Sequence, residues 1–311
     1  MLFNLTTPVA FFIFNRPDTT WKVFEKIREA KPQKLLIISD GARFTEELEK
    51  CNKARSIIEK IDWDCEVLTN FSDVNLGAKV RVSSGLDWVF SEVEEAIILE
   101  DDCLPDPTFF RFCSELLTHY ADDERIMTIS GNNFQLGQSR TQDSYYFSVF
   151  THTWGWATWR RAWQHYDIDM KLWPTVRDKH WLIDVLHSKY AVTYWEDIFQ
   201  SVFNQLINTC WDYQWLFSCW IQNGLTILPN INLVSNIGFN SEATHTKKIV
   251  KHLANLPTEP LTFPILHPQF VIRDTQSDDF TQKSIFKLSV ISRIKKEIKK
   301  VIVKLYNKAF K

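Results

Sequence analysis

The stretch AIILEDDCLPDPTFF, residues 96–110, places three adjacent carboxylates, Glu100, Asp101 and Asp102, directly after an apolar run. The apolar residues indicate a buried strand, and the acids mark its carboxyl end. Carboxylates this close raise one another's pKa unless a positive charge lies among them. The pair Asp106-Pro107 predicts the start of a helix directly afterwards. The stretch therefore predicts a strand, an acidic site that needs a cation, and a helix.

The first 130 residues alternate short apolar runs with longer amphipathic segments. The predicted strands are residues 8–14, 34–39, 65–69, 96–99 and 126–130, with a helix capped by Asp18 after the first. This alternation is typical of βαβ units and predicts an α/β fold with a mostly parallel sheet and flanking helices. Ligands of such sheets bind beyond the carboxyl ends of the strands, which directs attention to the residues there.

Composition excludes several classes of protein. Lys and Arg total 36 against 38 Asp and Glu, so nucleic acid is not an expected partner. The six cysteines lack the spacing of a zinc site and are expected to be reduced thiols in a cytoplasmic protein. The N-terminal apolar run is interpreted as the first strand, because it is too short to span a bilayer and lacks a cleavage site.

A divalent cation explains the three carboxylates best, because hard metals take oxygen ligands and remove the repulsion. Mg²⁺ or Mn²⁺ keeps several waters and shares its coordination shell with substrate phosphates, which fits a nucleoside diphosphate. The alternative is that the acids stabilise the N-terminus of the following helix, an effect of about 0.3–1 kcal/mol.

Four strand-end motifs together resemble the GT-A glycosyltransferases. They are PVAFFIFNRPDTT, LLIISDGAR, NLGAK and IILEDDCLPDPTFFRF. The acidic motif is similar to the E-D-D variant found in the N-acetylglucosaminyltransferase I type, and the set is also similar to bacterial family-2-like sugar transferases. The resemblance implies a Rossmann-like GT-A catalytic domain over residues 1–250, with a nucleotide-sugar half at 1–130 and an acceptor half at 131–250.

The resemblance also implies roles for individual residues. Asp102 would ligate the metal bound to the donor diphosphate, and His245 would complete that metal site or contact the diphosphate. A structural role is the alternative for His245. The implied donor-binding residues are Arg16, Asp40, Lys79, Arg81, Glu100 and Asp101. For Arg16 and Asp40 the alternative is a salt bridge or a turn in a loop.

Sugar transfer with inversion needs a general base that deprotonates the acceptor hydroxyl. Asp212 in TCWDYQWLF is the candidate, because flanking indoles can raise the pKa of a carboxyl group, and its position matches the family's W-D-D-W motif. Glu196 and Asp197 in YWEDIF are rivals, and a structural role beneath the tryptophans is the alternative for Asp212.

Ten of the 13 tryptophans fall between residues 154 and 220. Aromatic rings can stack on sugars, although most simply build a core. We expect one or two of four candidates to contact the acceptor or the donor sugar: Trp154, Trp156, Trp211 and Trp215.

The C-terminal part divides in two. Prolines at 257, 260, 264 and 268 predict an irregular wrapping segment over residues 251–282. Residues 283–311 hold ten Lys or Arg against one acid, with apolar residues at helical spacing. This pattern predicts a basic amphipathic helix that binds an anionic membrane surface and makes the protein peripheral to it. The alternative is a helix packed on its own domain or on another subunit.

The sequence therefore predicts an enzyme, a metal-dependent glycosyltransferase that takes a UDP-sugar or a related donor to a glycan or lipid-linked acceptor, as in polysaccharide biosynthesis. A sugar nucleotidyltransferase is one alternative, but its glycine-rich loop after the first strand is replaced here by NRPDTT. A sugar- or nucleotide-binding protein without turnover is the other.

Overall fold

Strands and helices alternate in a computed structural model of the chain, which describes residues 3–239 and 253–286. The strands are β1 (Val9–Ile13), β2 (Lys34–Ser39), β3 (Glu66–Phe71), β4 (Glu95–Glu100), β5 (Cys103–Pro105), β6 (Ile126–Ser130), β7 (Tyr145–Ser148), β8 (Trp156–Trp159), β9 (Leu225–Pro229) and β10 (Val234–Asn236). The helices are α1 (Pro17–Ala30), α2 (Leu48–Arg55), α3 (Gly77–Glu92), α4 (Thr108–His119), α5 (Arg160–Trp163), α6 (Trp173–Asp178), α7 (Leu182–Leu186), α8 (Lys189–Phe203), α9 (Asp212–Ile221) and α10 (Thr275–Ser284).

Within the described ranges, eight strands form one sheet in the order β3-β2-β1-β4-β8-β6-β9-β7. Strands β3, β2, β1 and β4 are parallel, and helical crossovers connect them. Strand β8 is antiparallel between β4 and β6, and β7 is antiparallel at the edge. Every residue of β1 is buried, as expected for a central strand covered on both faces. The predicted α/β fold with a mostly parallel sheet is confirmed.

All five predicted strands are present; β2 and β6 have the predicted bounds, and the ends of β1, β3 and β4 are shifted by one or two residues. Strand β3 extends to Phe71 because that residue pairs with Ser39 of β2. Asp106 does cap the helix that follows it, since its Oδ1 accepts a hydrogen bond from the Thr108 amide at 2.9 Å. The expected cap at Asp18 is wrong, because α1 already begins at Pro17 and Asp18 lies in its first turn.

The segment predicted to be irregular over 251–282 contains a helix, α10. Asp274 caps this helix by accepting a hydrogen bond from the Ser277 amide at 2.9 Å. Buried Asp278 then pairs with Arg273 and accepts a hydrogen bond from Ser148 of β7, which fixes the helix to the sheet edge. The predicted basic helix at 283–311 lies outside the described residues except for 283–286.

The six cysteines are free, in agreement with the expected reduced thiols. None of the helices in residues 3–239 and 253–286 has the length and apolar composition needed to cross a bilayer.

His152, in the chain between β7 and β8, is buried against the Phe134 ring at a centroid distance of 4.5 Å. Burial lowers the pKa of this histidine to about 3. An unfolded histidine has a pKa of about 6.5, so below that pH the unfolded state binds more protons and the fold loses stability.

We therefore expect His152→Phe to flatten the decline of unfolding free energy below pH 6.5. The wild-type decline should be steeper than that of the variant by up to about 1.4 kcal/mol per pH unit. Urea unfolding of both proteins at several pH values between 7 and 4.5 measures this difference. Parallel pH curves for the two proteins would show that His152 is not a buried neutral group.

Candidate functional site

The acid cluster, defined as Glu100, Asp101 and Asp102, lies where β1 and β4 end side by side. Phe12 of β1 pairs with Glu100 of β4, so the next residues of each strand meet beyond the sheet edge. There the Phe14 amide donates a hydrogen bond to Asp101 Oδ2 at 3.0 Å. The location agrees with a ligand site at the carboxyl ends of parallel strands.

Arg16 supplies a positive charge to this cluster. Its Nη1 lies 2.6 Å from Asp102 Oδ2 and 3.7 Å from Asp101 Oδ1. Arg16 immediately precedes α1, and its carbonyl accepts a hydrogen bond from the Thr20 amide at 2.9 Å. The backbone is therefore anchored while the side chain reaches the acids. The structure thus brings together three predicted donor-binding residues, Arg16, Glu100 and Asp101. Asp102, a predicted metal ligand, lies with them.

One guanidinium does not balance the cluster. Burial, followed by the charges of Asp102, Asp101 and Asp212, raises the pKa of Glu100 well above its usual range. Burial and the charge of Asp102 also raise the pKa of Asp101, although Arg16 opposes this effect. Arg16 alone therefore does not stabilise all three carboxylates in their ionised form, and a further cation would favour that form.

A second segment covers Asp102 from the other side. Strand β10 pairs antiparallel with β5, and the Ile237 amide donates to the Asp102 carbonyl at 2.8 Å. Asn236 Nδ2 donates to Asp102 Oδ1 at 3.4 Å. A Cβ atom at Gly238 would lie 2.2 Å from Asp102 Oδ2, so only glycine leaves room for this carboxylate.

Asp212, the predicted base, is the first residue of α9 and is brought to the same region. The preceding residue, Trp211, stacks on Trp156 at a centroid distance of 5.6 Å, and Trp156 pairs with Ile98 of β4. The charge of Asp212 is near enough to raise the pKa of Glu100. Burial raises the pKa of Asp212 itself, while its own amide and that of Tyr213 oppose the rise.

The rival carboxylates Glu196 and Asp197 lie on α8. The buried face of α8 packs against α9 through Phe199, whose ring is 5.4 Å from Phe217. Outside the acid cluster, Asp212 is the described carboxylate whose charge acts on Glu100. This charge interaction is the reason to prefer Asp212 over its rivals as the candidate base.

Asp40 is enclosed by its own loop. Its Oδ1 accepts from the amides of Gly41 and Leu76, both at 2.9 Å. Its Oδ2 accepts from Asn75 Nδ2 and from the Gly77 amide, both at 3.0 Å. These four bonds join the end of β2 to the start of α3, so the carboxylate acts as a loop clamp, the alternative considered from the sequence.

The two basic candidates on α3 differ in burial. Arg81 is buried, and its guanidinium donates to the carbonyls of Ser39 and Asn70, which ties the ends of β2 and β3 together. Lys79 is half-buried on the first turn of the same helix. Arg81 is therefore held by backbone carbonyls in this structure.

The four candidate tryptophans separate by exposure. Trp156 and Trp215 are completely buried, which leaves no surface for a sugar ring. Trp215 instead donates from Nε1 to Thr128 Oγ1 at 3.1 Å inside the core. Trp211 is 6% exposed, and Trp154 is half-buried with its ring 5.5 Å from Phe239. Trp156 and Trp215 therefore build the core, and the prediction that one or two of the four contact a sugar narrows to Trp154 and Trp211.

A pocket of about 260 Å³ opens beside Arg16. Its lining includes Asn15, Arg16, Arg43, Phe44, Glu47 and Lys50. Buried Glu47 fixes this wall by accepting hydrogen bonds from Asn15 and from Arg43, whose Nε lies 3.0 Å from Oε2.

The sequence analysis did not predict that Glu47 and Arg43 form one side of this pocket. It also did not predict that residues 236–238 lie against Asp102. The spacing of Arg43 and Glu47, four residues apart, and the Asn-x-Gly turn at 236–238 were signals that could have indicated them.

The described residues do not form a closed metal site with three or more protein ligands. Among residues 3–239 and 253–286, no three His, Cys, Asp or Glu side chains form a ready-made metal group. His245 lies outside those ranges. A Mg²⁺ or Mn²⁺ that shares its shell with waters and phosphates needs only one or two carboxylates, and Asp102 with its neighbouring acids could supply them.

No protein-family model and no curated protein matches the chain. Residues 1–349 of TarS from S. aureus are similar in structure at 10% identity, with a TM-score of 0.36, over 52% of this chain and 50% of that one. HddC from Yersinia pseudotuberculosis, solved with GMP-PN, is similar at 8% identity, with a TM-score of 0.31, over 49% of this chain and 77% of that one. This chain thus spans only half of the TarS chain. These similarities are too distant to transfer an activity.

Proposed function

We propose that the protein is a metal-dependent glycosyltransferase that uses a nucleoside diphosphate sugar, with UDP-sugars favoured. The acceptor would be a hydroxyl of a glycan or a lipid-linked glycan. The observation that supports this proposal is the pairing of an acid cluster at the sheet edge with a separate, half-buried carboxylate, Asp212, whose charge acts on it.

The two acidic groups suit different parts of one reaction. Asp102 would hold Mn²⁺ or Mg²⁺, which when bound supplies positive charge to the departing diphosphate. Asp212 has a raised pKa, which suits a group that accepts the proton of the acceptor hydroxyl. The acceptor oxygen forms a bond to the anomeric carbon as the bond from that carbon to the diphosphate oxygen breaks. A base that acts on the face opposite the leaving group gives inversion.

Nucleotide-sugar binding measured by thermal shift tests this proposal. A donor at 100 times its Kd stabilises the fold by about 2.7 kcal/mol. We expect UDP-sugars with Mn²⁺ to raise the melting temperature by several degrees, and EDTA or Asp102→Asn to abolish the rise. A rise that survives both changes would contradict the metal role of Asp102.

Asp106→Asn is the matched control, because it removes a nearby carboxylate that caps α4. Asparagine caps a helix about as well as aspartate, so this variant should melt close to wild type and keep the donor-induced rise. The product separates the alternatives: transfer releases a nucleoside diphosphate, a nucleotidyltransferase releases pyrophosphate, and a binding protein releases neither.

A further inference from the structure

Arg16 stands between the acid cluster and the pocket of about 260 Å³. On one side its Nη1 contacts Asp102 Oδ2 at 2.6 Å. On the other side its side chain lines the pocket together with Arg43 and Lys50. One flexible cationic side chain thus borders two places in which charged ligands can bind.

Arg16 contacts Asp102 Oδ2, whereas the side chains of Asn236 and Cys103 contact Oδ1. Asp102 Oδ1 already accepts from Asn236 Nδ2 at 3.4 Å and lies 3.5 Å from Cys103 Sγ. A divalent cation on Oδ2 would lie within a few ångströms of the guanidinium, where two positive charges repel strongly. Arg16 and a metal ion therefore compete for one carboxylate oxygen.

The backbone of Arg16 does not need to move for the side chain to leave. Its carbonyl is held by the amide and the hydroxyl of Thr20, at 2.9 and 2.8 Å. A guanidinium also binds phosphate oxygens through paired hydrogen bonds, so a diphosphate offers it a second partner.

We infer that Arg16 excludes the divalent cation from Asp102 until a nucleoside diphosphate draws the guanidinium away. This inference rests on the proposed function and adds an order of binding to it. Metal and donor bind as a pair, and the free protein takes up little metal. Arg16 is a positioning residue in this scheme, since it controls access to Asp102.

The neighbouring Arg43 provides a matched control. It lines the same pocket, but its guanidinium is held by Glu47, with Nε at 3.0 Å from Oε2. Arg43→Gln therefore removes the same charge from the same region without freeing Asp102.

Titration with MnCl₂, followed by the EPR signal of free Mn²⁺, tests the inference without measuring turnover. In the absence of nucleotide, Arg16→Gln should bind Mn²⁺ at least tenfold more tightly than wild type. Arg43→Gln should match wild type, and the double variant Arg16→Gln/Asp102→Asn should lose the gain. Addition of UDP should tighten Mn²⁺ binding more in wild type than in Arg16→Gln.

Arg16→Lys keeps the positive charge and protects the test against misfolding of the glutamine variant. It should exclude Mn²⁺ as wild type does. Equal Mn²⁺ affinity in wild type and Arg16→Gln, or an equal gain in Arg43→Gln, would overturn the exclusion by Arg16 and leave the proposed function intact. Failure of every protein to bind Mn²⁺, even with UDP, would instead overturn the metal site and the proposed function with it.

Discussion

Asp212→Asn is expected to lower kcat by about 100- to 10,000-fold while leaving the affinity for the nucleoside diphosphate unchanged. Asparagine has the shape of aspartate and can still accept hydrogen bonds at the N-terminus of α9, but it cannot take the acceptor proton. The release of nucleoside diphosphate gives kcat, and a UDP titration in the presence of Mn²⁺ gives the affinity.

Glu196→Gln is the control for this variant, because it neutralises a rival carboxylate on α8. We expect its kcat to remain close to that of wild type. A large loss in Glu196→Gln with normal turnover in Asp212→Asn would move the base to α8. Equal turnover in all three proteins would exclude both Asp212 and Glu196 as the base and leave Asp197 as the remaining candidate.

The pH profile gives an independent signature of the same group. Burial raises the pKa of Asp212 above the value of about 3.9 that is usual for aspartate. The base works only when ionised, so kcat is full above this raised pKa and falls as the pH drops through it. The Asp212→Asn variant should lack this acidic limb.

Asp40→Asn is expected to lower the free energy of unfolding by about 2–4 kcal/mol. Each oxygen of this buried carboxylate accepts two hydrogen bonds. In the asparagine variant one oxygen is replaced by an NH₂ group, which would face two hydrogen-bond donors whichever way the side chain is turned. A buried group left without its partner costs about 1–3 kcal/mol, and more when a charged partner is lost. Urea unfolding at pH 7 measures the change.

Asp64→Asn is the control, because Asp64 is exposed. Surface substitutions of this kind change stability by less than about 0.5 kcal/mol. An Asp40→Asn variant with wild-type stability but weakened UDP binding would contradict the clamp. That result would restore the role as a nucleoside contact that the resemblance implies.

The sequence predicted the sheet and the place of the acids because both depend on local pattern. The apolar runs of β1, β2 and β4 are unbroken, and the polar residues that end them mark the sheet edge. No local pattern of spacing connects residue 212 with residue 100, so a place for Asp212 near the cluster could be expected only from the resemblance.

Contacts between distant residues could not be predicted in this way. Arg16 pairs with Asp102 across 86 positions, and Asn236 reaches the same carboxylate across 134. Periodicity carries no information about such partners. It also could not separate tryptophans that build the core, such as Trp156 and Trp215, from those near the surface, because both kinds occur in one aromatic stretch.

The ribbon of β5 and β10 has a consequence for how the protein is made. Strands β1 to β4 leave the ribosome long before residues 234–238, which cover Asp102. At a synthesis rate of about 5–20 residues per second, the interval is on the order of 10 s. During that time the acids and Arg16 lack this cover. The acid cluster is therefore covered late in synthesis, after the four parallel strands that position it have been made.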